Sequence, residues 1–307
     1  MAARDSVPHE MALGLSPRIP HIPQVKINKN IMKLTFLGTA AAEGWPALFC
    51  ECEGCKQALK NGGKDIRHRC AYVIDNDTMV DFGPDTYSQC VAYGIDTANI
   101  RRLLITHSHT DHFTPKELDW RSRGYSKVEH DLQLYANQHA LDKLPAVLFK
   151  PLDQLQPWRL IPHLVKPGDC IEDGDIRFTA ILADHAGPEQ LPLNYIIERN
   201  GSTIFIGNDS GWWCEESWNI LGRFKLDMAV IECTYGVRFK EQKVKHMGAA
   251  CTVAARDEMQ RRGILKQDAI VVATHFSHNC QDLHADFEAF FNPKGIMVAY
   301  DGLVLEK

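Results

Sequence analysis

The apolar run Leu103-Leu104-Ile105 leads directly into Thr106-His107-Ser108-His109-Thr110-Asp111-His112, and this junction constrains the chain more than any other stretch. Three imidazoles and one carboxylate fall within six residues, and such groups are costly to bury without partners. A strand that delivers them into a loop at its end, facing a cation, meets that demand. The set is of the type that Zn²⁺, Mn²⁺ or Fe²⁺ accepts. His107 and His109 are alternate residues and project to one side, whereas Asp111 and His112 can turn to a second position. The spacing favours two adjacent metals.

Later apolar runs end in the same manner. Asp184-His185 follows residues 176–182, Asp209 follows 203–206, and His275 follows 270–274. Asp81, in Val80-Asp81-Phe82-Gly83, also stands at a strand end. By its position alone it reads as a turn cap. Asp184, beside His185, reads as an ordinary loop acid or as a carboxylate behind a metal ligand.

Strands are expected over 32–38, 71–75, 78–82, 132–135, 176–182, 195–198, 203–206, 228–232 and 270–273. Asn76-Asp77 and Asn200-Gly201 separate two pairs of them, which predicts two hairpins. Helices are expected over 115–121, 138–149, 247–262 with Gly263 as its stop, and 283–291. Strands with helices between them predict a layered α/β fold. At 307 residues and 45% apolar composition the chain can bury a sizeable core. No linker divides it, and candidate ligands occur in both halves. Residues 32–307 therefore read as one domain with its site between halves. Residues 1–31, with Pro8, Pro17, Pro20 and Pro23, read as an N-terminal extension, and Met32 is a candidate original start.

A net charge of −5 without an extended basic run argues against bulk electrostatic binding to nucleic acid. No apolar run of about eighteen residues exists, so no membrane span is expected. Ten cysteines without an apolar leader favour the reducing cytoplasm. Cys50-Glu51-Cys52-Glu53-Gly54-Cys55 is too tight for a mutual disulfide framework and suits one tetrahedral ion, whose fourth ligand must come from elsewhere. Cys70, Cys90, Cys170, Cys214, Cys233, Cys251 and Cys280 stand alone and are expected in the core. His68, His130, His139, His163 and His284 lack metal-ligand spacing and are expected in core or surface roles.

The pattern His-x-His-x-Asp-His, followed by an isolated His, an Asp and a final His, resembles that of the metallo-β-lactamase superfamily. The early Cys-x-Cys-x-x-Cys and the late Thr274-His275-Phe276-Ser277-His278 look like the PhnP-type phosphodiesterases of the carbon–phosphorus lyase pathway. The resemblance implies an αββα four-layer sandwich with its site at one edge, and it matches Asp81 to a carboxylate that orients a metal ligand from behind. It implies His107, His109 and His185 on a first divalent metal, Asp111, His112 and His275 on a second, and Asp209 bridging both. The metals would be Zn²⁺ or Mn²⁺, with Fe²⁺ admitted by the same ligands. His278 is implied as the fourth ligand of a structural Zn²⁺ with Cys50, Cys52 and Cys55, and Cys280 is a variant choice. His246, at the start of a predicted helix, resembles the family histidine that contacts phosphate and can protonate a leaving oxygen.

The implied activity is hydrolysis of a small phosphodiester, such as a cyclic ribose phosphate. Two cations roughly 3.5–4 Å apart would lower the pKa of a shared water toward neutrality. An RNA-processing nuclease of the tRNase Z type shares the motif, but the chain has no clear glycine-rich and basic arm. Lactone or thioester hydrolysis needs the same Lewis acid. A non-catalytic PqqB-like accessory protein is the remaining alternative, opposed by the intact ligand set. The expected partner is the small-molecule substrate, and a homodimer is compatible with the sequence.

Overall fold

The computed structural model describes residues 31–187 and 189–307; the expected extension, Ile31 apart, lies outside them. Six strands lead the chain: β1 (Lys33–Gly38), β2 (Ala71–Ile74), β3 (Thr78–Val80), β4 (Arg102–Leu104), β5 (Leu132–Ala136) and β6 (Leu160–Leu164). Eight follow: β7 (Cys170–Asp173), β8 (Ile176–Leu182), β9 (Leu193–Arg199), β10 (Ser202–Gly207), β11 (Leu226–Glu232), β12 (Leu265–Thr274), β13 (Met297–Val298) and β14 (Val304–Glu306). They form two seven-stranded sheets, ordered β14-β1-β2-β3-β4-β5-β6 and β13-β12-β11-β10-β9-β8-β7. Within them, β3 to β6 and β10 to β13 run parallel.

Period-2 alternation decides what each face buries. Ile204 and Ile206 of β10 point between the sheets, where they meet Phe36 and Tyr72. Phe205, between them, points outward against Trp213, with ring centroids 5.4 Å apart. Burying each such side chain contributes roughly 2 kcal/mol. Val73, Leu103 and Leu134 cover the outer face of the first sheet with α3 (Gln138–Leu141) and α4 (Lys143–Leu148). The other helices are α1 (Glu53–Asn61), α2 (Thr86–Tyr93), α5 (Glu215–Leu221), α6 (Ala249–Arg261) and α7 (His284–Phe291), of which α5, α6 and α7 pack on the second sheet. The result is the αββα sandwich.

Both expected hairpins form. Asp75 and Asn76 turn between β2 and β3, and Asn200 and Gly201 between β9 and β10, all with positive φ. The expected helix over 138–149 breaks at Asp142, because Pro145 has no N–H for the Leu141 carbonyl and its ring would strike it. Pro115–Arg121 is a 3₁₀ helix, not an α-helix. The helix expected from 247 starts at Ala249, with Gly248 as its N-cap, so His246 lies before the helix. Cys170 and Cys214 are exposed, contrary to expectation: one opens edge strand β7 and the other caps α5. Among the described residues no helix is long and apolar enough to cross a membrane.

The sheets are joined at both ends. Tyr195 Oη donates to Ile105 O at 2.9 Å, and Leu193 N donates to Thr106 O at 2.8 Å. At the opposite end Arg199 of β9 donates to Asp77 from both Nη atoms at 2.7 Å and to Asp175 at 2.7 Å. Replacing Arg199 with methionine removes these charge-assisted bonds, and with Asp77 still held by Arg102 and Asp175 exposed it should destabilise the fold by about 2 kcal/mol. Asp268→Ala, at an exposed pair with Lys307, should change it by less than about 0.5 kcal/mol. Urea unfolding of the two variants checks the contrast.

Candidate metal centre

The candidate ligands leave the carboxyl ends of β4, β8, β10 and β12, which the two sheets bring to one edge. Asp81 follows β3 at the same edge. Its Oδ1 accepts from Thr106 N at 2.8 Å and Thr106 Oγ1 at 2.9 Å, and its Oδ2 lies 2.6 Å from His112 Nδ1. The two readings of Asp81 thus coexist: it caps the backbone that starts the histidine loop, and it fixes the His112 ring. A hydrogen bond to one ring nitrogen aims the other. Gly83 lets the two loops touch, because a Cβ there would lie 2.0 Å from Asp111 O.

Two groups of side chains converge. His107, His109 and His185 form one, Asp111, His112, Asp209 and His275 the other, and the candidate ligand atoms of each lie within 4.8 Å of one another. Asp209 spans them. Its Oδ1 is 2.8 Å from His275 Nε2 and 3.0 Å from His112 Nε2, while Oδ2 is 3.6 Å from His185 Nε2 and 4.0 Å from His107 Nε2. Despite these approaches, Nε2 of His107, His112 and His275 and Oδ1 of Asp209 make no directional hydrogen bond, although all are buried. Buried polar atoms without partners are rare. Atoms that crowd together and do not bond to each other aim at a shared point, which fits cations.

The electrostatics agree. Burial, reinforced by neighbouring imidazoles, pushes His107 well below the usual histidine range, and burial takes His185 down to about 4. Both are neutral at pH 7, the form that offers a lone pair. Burial opposes charge on His112, but Asp209, Asp111 and Asp81 outweigh it and hold its pKa well above the ordinary value. The second group therefore draws positive charge. Asp209, Asp81 and His275 all have positive φ, at 38°, 65° and 58°, strained backbone for residues other than glycine.

Beside this centre stands His246, whose Nδ1 lies 2.8 Å from Glu232 Oε1 and 3.1 Å from Thr234 Oγ1. Burial lowers its pKa, but the Glu232 carboxylate more than offsets this and raises it to about 9. Thr234 Oγ1 also lies 2.8 Å from His275 Nδ1. Neither Glu232 nor Thr234 was a candidate from sequence. The available signal was an acid closing the apolar run 228–231, the same signature that marks Asp81 and Asp209.

A separate cluster joins Cys50, Cys52, Cys55 and His278. His278 Nδ1 lies 3.5, 3.7 and 3.6 Å from the three sulfurs in that order. Tetrahedral zinc with ordinary Zn–S and Zn–N bonds sets that separation at about 3.6 Å. Cys280 lies outside the group, its Sγ placed 2.9 Å from Ser277 O. Burial raises the Cys52 and Cys55 thiols, yet His278 brings Cys52 down to about 6, while burial, helped by the neighbouring cysteines, pushes Cys55 up to about 12. Three sulfurs and one imidazole nitrogen that converge in this way suit a cation.

Among the described residues the other histidines make ordinary contacts: His68 with Asp301, His130 with Ile100 O, His139 with Ser108, His163 with Gln133, and His284 with Arg67 and Glu288. Asp184 accepts from Lys245 N at 3.2 Å and touches no candidate ligand through its carboxylate.

A family model described as a β-lactamase superfamily domain matches residues 77–276. The chain belongs to the metallo-β-lactamase superfamily. The superfamily is one of metal-dependent hydrolases. Ribonuclease Z of Thermosynechococcus vestitus (strain NIES-2133 / IAM M-273 / BP-1) is 29% identical over 110 residues, 36% of this chain and 27% of that protein. The match thus spans about a quarter of that relative's length. A diphosphatase from the PhnP family superposes with a TM-score of 0.68 at 22% identity, covering 90% of this chain and 97% of that one. Zn²⁺-bound PqqB from Methylobacterium extorquens superposes equally, at 0.68 and 16% identity, over 89% and 99%. At these identities the structural likeness is one of fold.

The superfamily match contains Asp81, the histidine loop, His185, Asp209, His246 and His275, and excludes the thiol cluster and His278. Gly83→Ala forces the Asp111 carbonyl aside and should destabilise the protein by about 2 kcal/mol, the usual scale of overpacking. Thermal unfolding with and without added Zn²⁺ checks it: displacement of the Asp111–His112 loop should also reduce the stabilisation that metal confers.

Proposed function

We propose that this hydrolase cleaves a small phosphodiester. His107, His109 and His185 would hold one divalent cation, Asp111, His112 and His275 a second, and Asp209 would lie between them. Zn²⁺, Mn²⁺ and Fe²⁺ all suit an imidazole and carboxylate set. When bound, such a pair supplies Lewis-acid charge neutralisation and a water acidic enough to lose a proton near neutral pH. The observation that carries the reading is Asp209, whose two oxygens face different histidine groups.

The chain's own residues supply the rest. With Nδ1 engaged by Glu232, His246 has Nε2 free for substrate, and Glu232 keeps the ring protonated at pH 7. Hydrolysis adds water across one P–O ester bond, giving a phosphomonoester and an alcohol. His246 gives its Nε2 proton to the leaving oxygen, and the proton lost by the attacking water restores the balance. Diester hydrolysis develops negative charge on two non-bridging oxygens and on the leaving oxygen, more than the single oxyanion of lactone or thioester hydrolysis, so a cationic His246 favours phosphoryl transfer. The Cys50, Cys52, Cys55 and His278 cluster would hold a structural Zn²⁺.

Protein loaded with Zn²⁺ or Mn²⁺ should cleave bis(p-nitrophenyl) phosphate, and Asp111→Asn should slow it roughly a thousandfold. Robust turnover by metal-stripped protein would sink the proposal. His246→Gln should reduce kcat about a hundredfold on a diester with an alkoxide leaving group, and much less on p-nitrophenolate, which needs no acid. Metal analysis should find three ions per chain, of which Cys52→Ser removes one and leaves the other two in place. A count of one would point instead to an accessory protein. The likeness to Ribonuclease Z favours a second reading, RNA processing, and cleavage of a precursor tRNA in preference to small diesters would select it.

A further inference from the structure

Next to the candidate centre lies a cavity of about 370 Å³ that none of its proposed chemistry uses. Leu191, Pro192 and Trp212 form apolar walls, Asp184 and Lys245 add one charge of each sign, and His185 belongs to both cavity and centre. The cavity is built. Gly211 N donates to Asp184 O at 2.9 Å and Trp212 N to Lys243 O at 2.8 Å, so the indole-bearing segment is pinned against both neighbouring loops. A Cβ on Gly211 would lie 2.4 Å from Asp184 Oδ2 and 2.5 Å from Lys243 O, so this approach requires glycine. His185 Nδ1 lies 3.2 Å from Lys245 O, which ties the same wall to the centre.

We infer that this cavity is a specificity subsite for a flat heteroaromatic ring, a nucleobase, carried by the diester. The inference rests on the phosphodiesterase reading. A volume of this size suits a ligand fragment. The indole of Trp212 and the side chains of Leu191 and Pro192 offer the apolar contact that ring faces seek. The Asp184 carboxylate and the Lys245 ammonium, which also donates to Ala186 O at 2.6 Å, lie 3.7 Å apart, so an acceptor and a donor stand side by side as they do along the edge of a base and not of a hydrocarbon ring. Shared His185 places the ring within reach of a phosphate held at the centre.

Two diesters with one leaving group test this: thymidine 5′-(p-nitrophenyl phosphate) and methyl p-nitrophenyl phosphate. The metal-loaded enzyme should show the lower KM for the thymidine ester. Trp212→Ala should raise that KM roughly tenfold and leave kcat/KM for the methyl ester unchanged. Leu191→Arg, a substitution at a side chain 41% exposed on the rim, should do the same without a deletion in the core. Equal KM values in the wild type, or a preference that survives both variants, would overturn the inference. If neither ester is cleaved, the phosphodiesterase reading fails, and equilibrium dialysis with thymidine decides the subsite alone. Binding abolished by both variants supports it, and absence of binding to the wild type refutes it.

Discussion

A single buried carboxylate organises this molecule. Asp209 presents each of its oxygens to a different set of imidazoles, and burial opposes its charge, which the imidazoles of His112 and His275 sustain. For that contact to exist, β10 must stop at Gly207, the backbone must turn through positive φ, and β4, β8 and β12 must end at the same edge. Two sheets packed face to face meet these conditions, because the parallel strands of each deliver their carboxyl ends together. The core between the sheets is the support on which charged groups can be held close without collapse.

Much of this was legible because it is local. An apolar run ended by a ligand is visible in six or seven residues, and His107, His185, Asp209 and His275 each follow one. Glu232 follows one too, but the same run was absorbed into a strand, and its partner His246 is fourteen residues away in a loop. Only the fold brings them to 2.8 Å. The interrupted helix near Pro145 was legible in principle, since proline forbids the bond to Leu141, whereas the edge strands β6, β7, β13 and β14 carry no clear apolar run bounded by turn residues. β6 even contains Pro162, which an edge strand tolerates. Exposure of Cys170 and Cys214 follows from their places at an edge and a cap, which composition does not encode.

The thiol cluster adds a constraint of another kind. Cys52 caps α1 through its sulfur, accepting from Cys55 N, and His278 lies three residues beyond His275. Phe276 between them donates its N–H to Thr39 O and accepts from Ala41 N, both at 2.9 Å. The early loop, the end of β12 and the centre's last histidine therefore move as one piece. A tetrahedral set at one end of a three-residue spacing limits the freedom of the ligand at the other.

Chemistry and recognition consequently have different foundations here. The candidate ligands stand on strand ends, where backbone hydrogen bonding and sheet packing fix them within narrow limits, and all of those at the centre fall within the superfamily match. The walls beside His185 come from the loops after β8 and β10 and before α6, joined by contacts between backbones far apart in sequence. Such loops tolerate change that strand ends do not. A candidate metal centre can thus be kept while its neighbouring cavity is rebuilt, and on the inference drawn above the substrate would be read by Trp212, Leu191, Asp184 and Lys245, residues that no metal motif contains.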